Sequence, residues 1–222
     1  MSFYQKYPKR FFDVTLCSFA LVALSPLFGV TAAAIKLSSP GPVFYFSERA
    51  GQDKKPFRFY KFRSMHQTKN DKGMFVADAE RVFTVGKIIR RLKIDELPQL
   101  INVIRGDMSI VGPRPMVASA VDSLYCGKYE KVSSVRPGLT SAASLYDYTV
   151  GDTYRDDKAY IREVLPVKLE MELYYVEHES FSYDAELVWR TIVTILQVIG
   201  KKKEFKPQPE LSILKQNTEA VK

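Results

Sequence analysis

The sequence predicts an α+β fold tied to a membrane at its N-terminal end, and three observations predict it. Residues 11–35 form an apolar run broken only by Asp13, small hydroxyls and Pro26, long enough to reach into a bilayer. Two stretches rich in aromatic and β-branched residues, 43–46 and 57–62, flank a polar loop over 48–55 and read as a hairpin. Helical spacing of apolar residues then recurs at 85–104 and again from residue 158 onward.

A chain of 222 residues, 46% of them apolar, can bury one good core, so one catalytic domain with appendages is expected and not two domains. The formal net charge of +8 points to polyanionic partners: nucleic acid, an anionic membrane surface or phosphorylated metabolites. Cys17 lies in the apolar run and Cys126 far from it, which argues against a disulfide framework and for a reducing compartment. With His66 and His178 the only histidines, a zinc site of His/Cys type is not expected. Any metal would be a hard, oxygen-bound ion.

The 25 residues of the apolar run would make a helix of about 37 Å. A cleaved signal peptide fits poorly, because the run exceeds the length of a usual h-region and Asp13 stands near its start. Pro26, preceded by Ser25 near the middle, costs about 3 kcal/mol in a straight helix, and a bend relieves it. Lys6, Lys9 and Arg10 precede the run and Lys36 follows it, whereas a spanning helix should be basic on one side. Composition alone leaves a proline-kinked spanning helix and a segment that dips in and returns level with each other.

Ser39-Pro40-Gly41-Pro42 is a turn cluster that parts this segment from the rest. In the second strand Lys61 and Arg63 fall on one face with Phe57 and Phe59; the two cations either hold a phosphate or line a solvated edge. Residues 67–78 are polar and irregular and read as a mobile loop.

Chemistry concentrates over 86–115. Asp95-Glu96-Leu97-Pro98 reads as a helix start with Asp95 at the N-cap. Leu97, Leu100, Ile101 and Ile104 make an apolar stripe that turns Gln99, Asn102 and Arg105 elsewhere, and Gly106 ends the helix. A helix N-terminus favours a carboxylate by about 0.3 to 1 kcal/mol. Arg90 and Arg91 sit just upstream on an amphipathic run, so cations approach the carboxylates. Arginine, carboxylate and helix N-terminus together suit a phosphorylated substrate held with a divalent cation, although adjacent Asp and Glu at a helix start are ordinarily only a cap. Arg114 stands between Pro113 and Pro115, a rigid mounting for a guanidinium that meets an oxyanion, and Arg136-Pro137-Gly138 repeats the device.

Residues 138–148 show no strong period and read as a binding loop or surface connection. A helical pattern from Lys158 is interrupted at Pro166. The last helix is expected to be capped by Ser182 or Asp184, with a wide apolar face and Trp189 that suit either core or a membrane interface. Lys201-Lys202-Lys203 opens what reads as a flexible basic tail over 201–222.

Several motifs in register resemble the bacterial sugar transferases known as small monotopic phosphoglycosyl transferases. They are Lys9-Arg10-Phe11, Ser25-Pro26, Tyr60-Lys61-Phe62-Arg63-Ser64-Met65, Asp95-Glu96-Leu97-Pro98-Gln99-Leu100, Gly106-Asp107-Met108-Ser109, Val111-Gly112-Pro113-Arg114-Pro115 and Val135-Arg136-Pro137-Gly138-Leu139-Thr140. Their order and spacing cover about residues 6 to 200. The resemblance implies an enzyme on the cytoplasmic face of the bacterial inner membrane that passes a phosphosugar from a nucleotide diphosphosugar, commonly a UDP-sugar, to polyprenol phosphate. It implies Asp95 as nucleophile, Glu96 as a Mg²⁺ ligand, Arg90 as a phosphate contact, and Ser25-Pro26 as a break that returns the membrane helix, so that residues 1–36 are re-entrant and 37–200 form the cytoplasmic catalytic domain. After Thr140 the chain departs from the Gly-Trp-Ala-Gln of many relatives and reads Ser141-Ala142-Ala143-Ser144-Leu145-Tyr146-Asp147-Tyr148, which leaves the sugar open.

Asp95 and Glu96 are thus the expected catalytic pair, with Arg90, Arg114, Lys61, Arg63 and Arg136 as phosphate-binding residues. Expected partners are the nucleotide sugar, polyprenol phosphate and the membrane, and a homo-oligomer is left open. A basic protein that docks nucleic acid or anionic lipid has only the charge behind it, so no nucleic-acid partner is expected. A carboxylate-pair glycoside hydrolase fails because adjacent residues at a helix start do not face each other across a bond at about 5 to 9 Å. Arms of about 15 and 10 residues on either side of the break would be roughly 22 and 15 Å long, too short for a hydrocarbon core of about 30 Å.

Overall fold

A computed structural model describes residues 3–66, 81–154, 156–200, 202 and 205–220. The expected loop over 67–78 lies outside them. The architecture is α+β, with eleven helices and two small two-stranded sheets among the described residues.

The apolar run is broken. Helices α1 (Phe3–Lys6) and α2 (Pro8–Ala23) meet α3 (Ser25–Ser38) at a bend of 60°, and no single described helix is long and apolar enough to cross a membrane. The break falls at Leu24, whose N–H still donates to the Ala20 carbonyl at 2.9 Å. Pro26 lies in the first turn of α3, where its missing N–H leaves no gap in the helix ladder. The inner face of α2 is polar as well as apolar: Lys9, Asp13 and Cys17, four residues apart, are buried together. Asp13 accepts a bond from the Ile110 N–H at 2.9 Å. The Arg10 guanidinium donates to the carbonyls of Val103 and Ile104. The outer face carries Phe11, Leu16, Phe19 and Val22 into solvent, with Phe19 74% exposed.

Strands β1 (Phe44–Ala50) and β2 (Pro56–Phe62) pair antiparallel from Phe44↔Phe62 to Ala50↔Pro56. Glu48, Arg49 and Ala50 of the expected polar loop over 48–55 therefore belong to β1, and the turn that remains centres on a short 3-10 element at Gln52–Lys54. Glu48 and Arg58 face each other across the ribbon, so charged residues here form a cross-strand pair and do not interrupt the ladder.

After α4 (Thr84–Arg91) comes α5 (Gln99–Arg105), which ends at Gly106 with φ 94° as expected. The face that α5 buries differs from the expected stripe: Gln99, Leu100, Asn102 and Val103 are inside. Asn102 decides this. Its amide nitrogen donates to the Arg58 carbonyl at 2.7 Å and its amide oxygen accepts from the Tyr60 N–H at 3.1 Å, so one side chain stands in for a neighbouring strand along β2.

Strands β3 (Ser109–Val111) and β4 (Gly138–Thr140) are parallel. Gly112 and Gly138 meet back to back, since a Cβ on Gly138 would lie 2.1 Å from the Gly112 nitrogen. The two arginine-proline turns that the sequence presents as separate devices are thus hydrogen-bonded to one another, with Gly138 N–H on the Pro113 carbonyl at 2.8 Å.

Residues 142–149, expected as loop, form α7 (Ala142–Thr149), capped by Ser141, whose hydroxyl accepts from the Ser144 N–H. Small residues and the lack of a strong period hid a helix whose Ala142, Ala143 and Leu145 are buried. Beyond the short α6 (Val121–Leu124) and α8 (Asp157–Glu163), α9 (Leu165–His178) carries Pro166 in its first turn. Helix α10 (Phe181–Ile199) is capped by Ser180 and not by Ser182 or Asp184. Asp184 is instead buried, where it meets Lys9, Tyr175 and Tyr4. The expected flexible tail contains α11 (Pro209–Ala220), docked through Glu210, which accepts from Tyr183 at 2.6 Å and pairs with Arg190.

Small apolar clusters knit these parts together. One joins Cys17 of α2 to Phe59, Leu100, Val103 and Met108; another joins Ile35 of α3 to Phe62, Phe83 and Ile89. Both arms of the bent pair therefore share core with β2, which carries Lys61.

Candidate active site

Asp95 sits in one 3-10 turn, Ile94–Glu96, between α4 and α5. It is not the N-cap of α5, a position that Pro98 occupies without a side-chain bond. The turn needs a reversal just before it, and Lys93 supplies it with φ 56° and ψ 17°. Asp95 is 1% exposed. Its Oδ2 meets Lys61 Nζ at 2.8 Å, while Oδ1 is buried without a hydrogen-bond partner.

Glu96 lies alongside, with Oε1 3.4 Å from Lys61 Nζ and 3.2 Å from an Arg114 guanidinium nitrogen. Burial on its own raises the Glu96 pKa, but Arg114, Lys61 and Lys93 outweigh it and hold the carboxyl well below the usual range. Lys61 therefore bridges the two carboxylates, and the cross-strand geometry explains its place: Tyr45↔Lys61 and Arg49↔Phe57 put Arg49 on the same ribbon face.

Arg49 was not singled out by the sequence, because it fell in the segment read as loop. Its guanidinium lies 5.4 Å from the Phe59 ring centroid and donates to the Pro115 carbonyl. Burial first, and then the neighbouring Arg114, lower its pKa, while Glu96 opposes them. Continuing the two-residue alternation of β1 from Tyr45 through Ser47 to Arg49 is the signal that would have found it.

A second layer holds Arg114. Buried Glu172 accepts from the Arg114 N–H at 3.2 Å and from the Tyr125 hydroxyl at 2.8 Å. Burial raises the Glu172 pKa, against the pull of Lys168. Lys168 pairs with Asp147 of α7 at 2.8 Å, and Tyr160 donates to the same carboxylate at 2.7 Å.

A model of the family described as bacterial sugar transferase matches residues 4–198. The chain belongs to that family. Among similar proteins, it is 40% identical over 196 residues to an Aeromonas hydrophila UDP-N-acetylgalactosamine-undecaprenyl-phosphate N-acetylgalactosaminephosphotransferase, covering 86% of this chain and 44% of that one. It is 36% identical over 188 residues to the sugar transferase EpsL of Bacillus subtilis, with 85% and 87% covered. A UDP-glucose:undecaprenyl-phosphate glucose-1-phosphate transferase of Escherichia coli is 39% identical over 189 residues, with 83% and 39% covered. The chain thus spans less than half the length of the first and third of these relatives and most of the second.

Of the candidate site residues expected from the sequence, the structure gathers Asp95, Glu96, Lys61 and Arg114 in one place. The others lie apart from that cluster in their described contacts. Arg63 is buried and donates to the carbonyls of Ser39, Pro40 and Pro42 and to the Ser39 hydroxyl. It is neither on a solvated edge nor open to phosphate; it fastens the turn after α3 to β2. Arg90 donates to Met65 Sδ at 3.3 Å. Arg91 reaches the Val198 carbonyl at 3.1 Å, so its side chain leaves the carboxylates. Arg136 Nε donates to the Gly106 carbonyl at 3.1 Å, at the far end of α5.

No three acidic, histidine or cysteine side chains gather to hold a metal among the described residues. Mg²⁺ does not require such a cage, since it commonly takes one or two carboxylates and completes its shell with water and substrate phosphate. Asp95 and Glu96 fit that role as a pair of hard oxygen donors, and the unpartnered Asp95 Oδ1 leaves acceptor capacity for an incoming group.

Proposed function

We propose that this chain transfers a phosphosugar from a UDP-sugar to a polyprenol phosphate at the cytoplasmic face of a bacterial inner membrane. The observation that carries the reading is the buried Asp95 carboxylate, one oxygen on Lys61 and the other without a partner, beside Glu96, which Lys61 and Arg114 both meet. The names of the Aeromonas hydrophila and Escherichia coli relatives agree in a UDP-sugar donor and an undecaprenyl-phosphate acceptor and differ in the sugar, so the donor class is proposed and the sugar is left out.

Asp95 attacks the sugar-bearing β-phosphorus, a P–O bond forms, and the pyrophosphate bond breaks to release nucleoside monophosphate. An oxygen of the lipid phosphate then attacks the same phosphorus, which frees the Asp95 carboxylate and leaves a sugar diphospholipid. Dividing the transfer lets a soluble donor and a membrane-bound acceptor use one site in turn. Lys61 and Arg114 hold the Asp95 and Glu96 oxygens in place and, with Arg49, offset charge on the phosphoryl oxygens. Mg²⁺ held by Glu96 with Asp95 would neutralise further phosphate charge.

The bent pair supports a re-entrant membrane attachment. Exposed Phe11, Phe19 and Val22 of α2 and Val30 of α3 are too apolar for a water-facing surface. Trp189, 65% exposed on α10 with Ile192, Leu196 and Ile199, has the composition of an interfacial helix.

Incubation with a UDP-sugar in the absence of acceptor should leave a phosphosugar on the intact protein, seen as an added mass that maps to Asp95. Asp95→Asn should lose both the adduct and turnover, by several orders of magnitude for a lost nucleophile. Full activity of that variant would sink the assignment.

A further inference from the structure

Lys93 combines two features that ordinary packing does not call for. It follows the last turn of α4 in the left-handed region, a C′ position that glycine fills best. The other described non-glycine residues with positive φ, Asp53 and Lys54, belong to the hairpin turn. The backbone bonds at Lys93, from its N–H to the Arg90 carbonyl at 3.0 Å and from the Glu96 N–H to its own carbonyl at 3.2 Å, need no side chain. A lysine here carries backbone strain that the turn's own hydrogen bonds do not require, which is the pattern of a residue kept for its side chain.

That side chain lies over an aromatic ring. Lys93 Nζ is 4.2 Å from the Tyr148 ring centroid, and the ring is anchored because Tyr148 donates its hydroxyl to the Arg91 carbonyl at 2.6 Å. No carboxylate lies within ion-pairing distance of the ammonium among the described residues, yet its charge is felt by Glu96. A cation on an aromatic face is held weakly and keeps its N–H groups for a stronger acceptor, whereas a charge-assisted bond to phosphate is about twice as strong as a neutral one.

We propose that Lys93 and Tyr148 form a further phosphate-binding subsite beside Asp95 and Glu96, in which the ring holds the ammonium in place until a substrate phosphate takes it. The subsite rests on the transferase reading, and either the donor diphosphate or the lipid phosphate could fill it. It also ties α7 to the reacting groups through Tyr148.

The test uses the full chain in detergent with Mg²⁺, and Lys93→Gly and Lys93→Arg as variants. UDP binding by calorimetry reports the donor arm, and binding to nanodiscs with and without undecaprenyl phosphate reports the acceptor arm. Lys93→Gly should weaken one of the two by about tenfold with a thermal midpoint equal to or above that of the unaltered chain, and Lys93→Arg should restore binding to within about threefold. Weakened UDP binding alone assigns the subsite to the donor, and weakened lipid binding alone assigns it to the acceptor. Unchanged affinity for both, whatever happens to the midpoint, overturns the proposal. Nucleoside monophosphate release by the unaltered chain is measured in parallel, so that failure of the transferase reading is seen separately.

Discussion

At the scale of single residues the site is a balance between burial and charge. Glu96 is enclosed, which disfavours its ionised form, but Arg114, Lys61 and Lys93 keep its pKa far below the ordinary 4.5. A depressed carboxylate contributes stability that is fully present above its unfolded pKa and is lost only as pH falls through the lower folded value. Between pH of about 5.5 and 8 Glu96 should therefore stay ionised, and a Mg²⁺ titration of activity should give the same midpoint at both ends of that window apart from effects of other groups. Glu96→Gln should shift the midpoint upward by about tenfold or more. An unchanged titration in that variant would count against Glu96 as a ligand. Arg63 shows the opposite balance, since a guanidinium placed on carbonyl oxygens of one turn is spent on architecture.

At the scale of elements, the position of Lys61 depends on how β2 meets α5. Asn102, fully buried, bonds the backbone of Arg58 and Tyr60 and so sets the strand against the turn that carries Asp95. Asn102→Ala would leave both backbone groups without that partner and should destabilise the protein by about 1 to 3 kcal/mol, measured by denaturant unfolding in detergent. A change under about 0.5 kcal/mol would mean that water replaces the amide fully. Helix α7 is the element expected to influence the sugar, because it reaches the site through Tyr148 and Asp147. Replacing its half-buried positions Ser144, Tyr146 and Tyr148 with a relative's residues, while keeping Ala142, Ala143 and Leu145 in the core, should change the ranking of UDP-sugars without abolishing nucleotide release. An active chimera with the original ranking would remove α7 from donor selection.

For the whole molecule the testable question is topology. Arms of 16 and 14 residues in α2 and α3 rise roughly 24 and 21 Å, short of a hydrocarbon core of about 30 Å. Lys6 at the start and Lys36 at the end would then lie at one anionic surface, each attracted by about 1 kcal/mol. A cysteine at Ser2, with Cys17→Ala and Cys126→Ser, should be labelled from the cytoplasmic side only. Periplasmic labelling of that position, with the catalytic part still cytoplasmic, would establish a spanning helix. Pro26→Ala removes the residue that bars a straight continuation past Leu24, and part of the population should then become labelled from the periplasm.

The α+β class, the broken apolar run, the hairpin and the crowding of charge around Asp95 and Glu96 are legible in the sequence because each follows from local composition: a proline, a two-residue alternation, charges beside a turn. Gly106 was readable for the same reason. Tertiary structure alone decided which cations face the carboxylates. Lys61 and Arg49 come from a ribbon whose register joins residues far apart in the chain, and Arg63, two residues from Lys61, turns inward because the unpaired carbonyls of the Ser39–Pro42 turn need donors. The helix over residues 142–149 and the docked α11 were hidden as well, since their order comes from contacts with α9 and α10 and not from their own periodicity. Charge and capping act over a turn or two of chain, whereas the partner of a buried polar group is chosen by whatever the fold brings within about 3 Å of it.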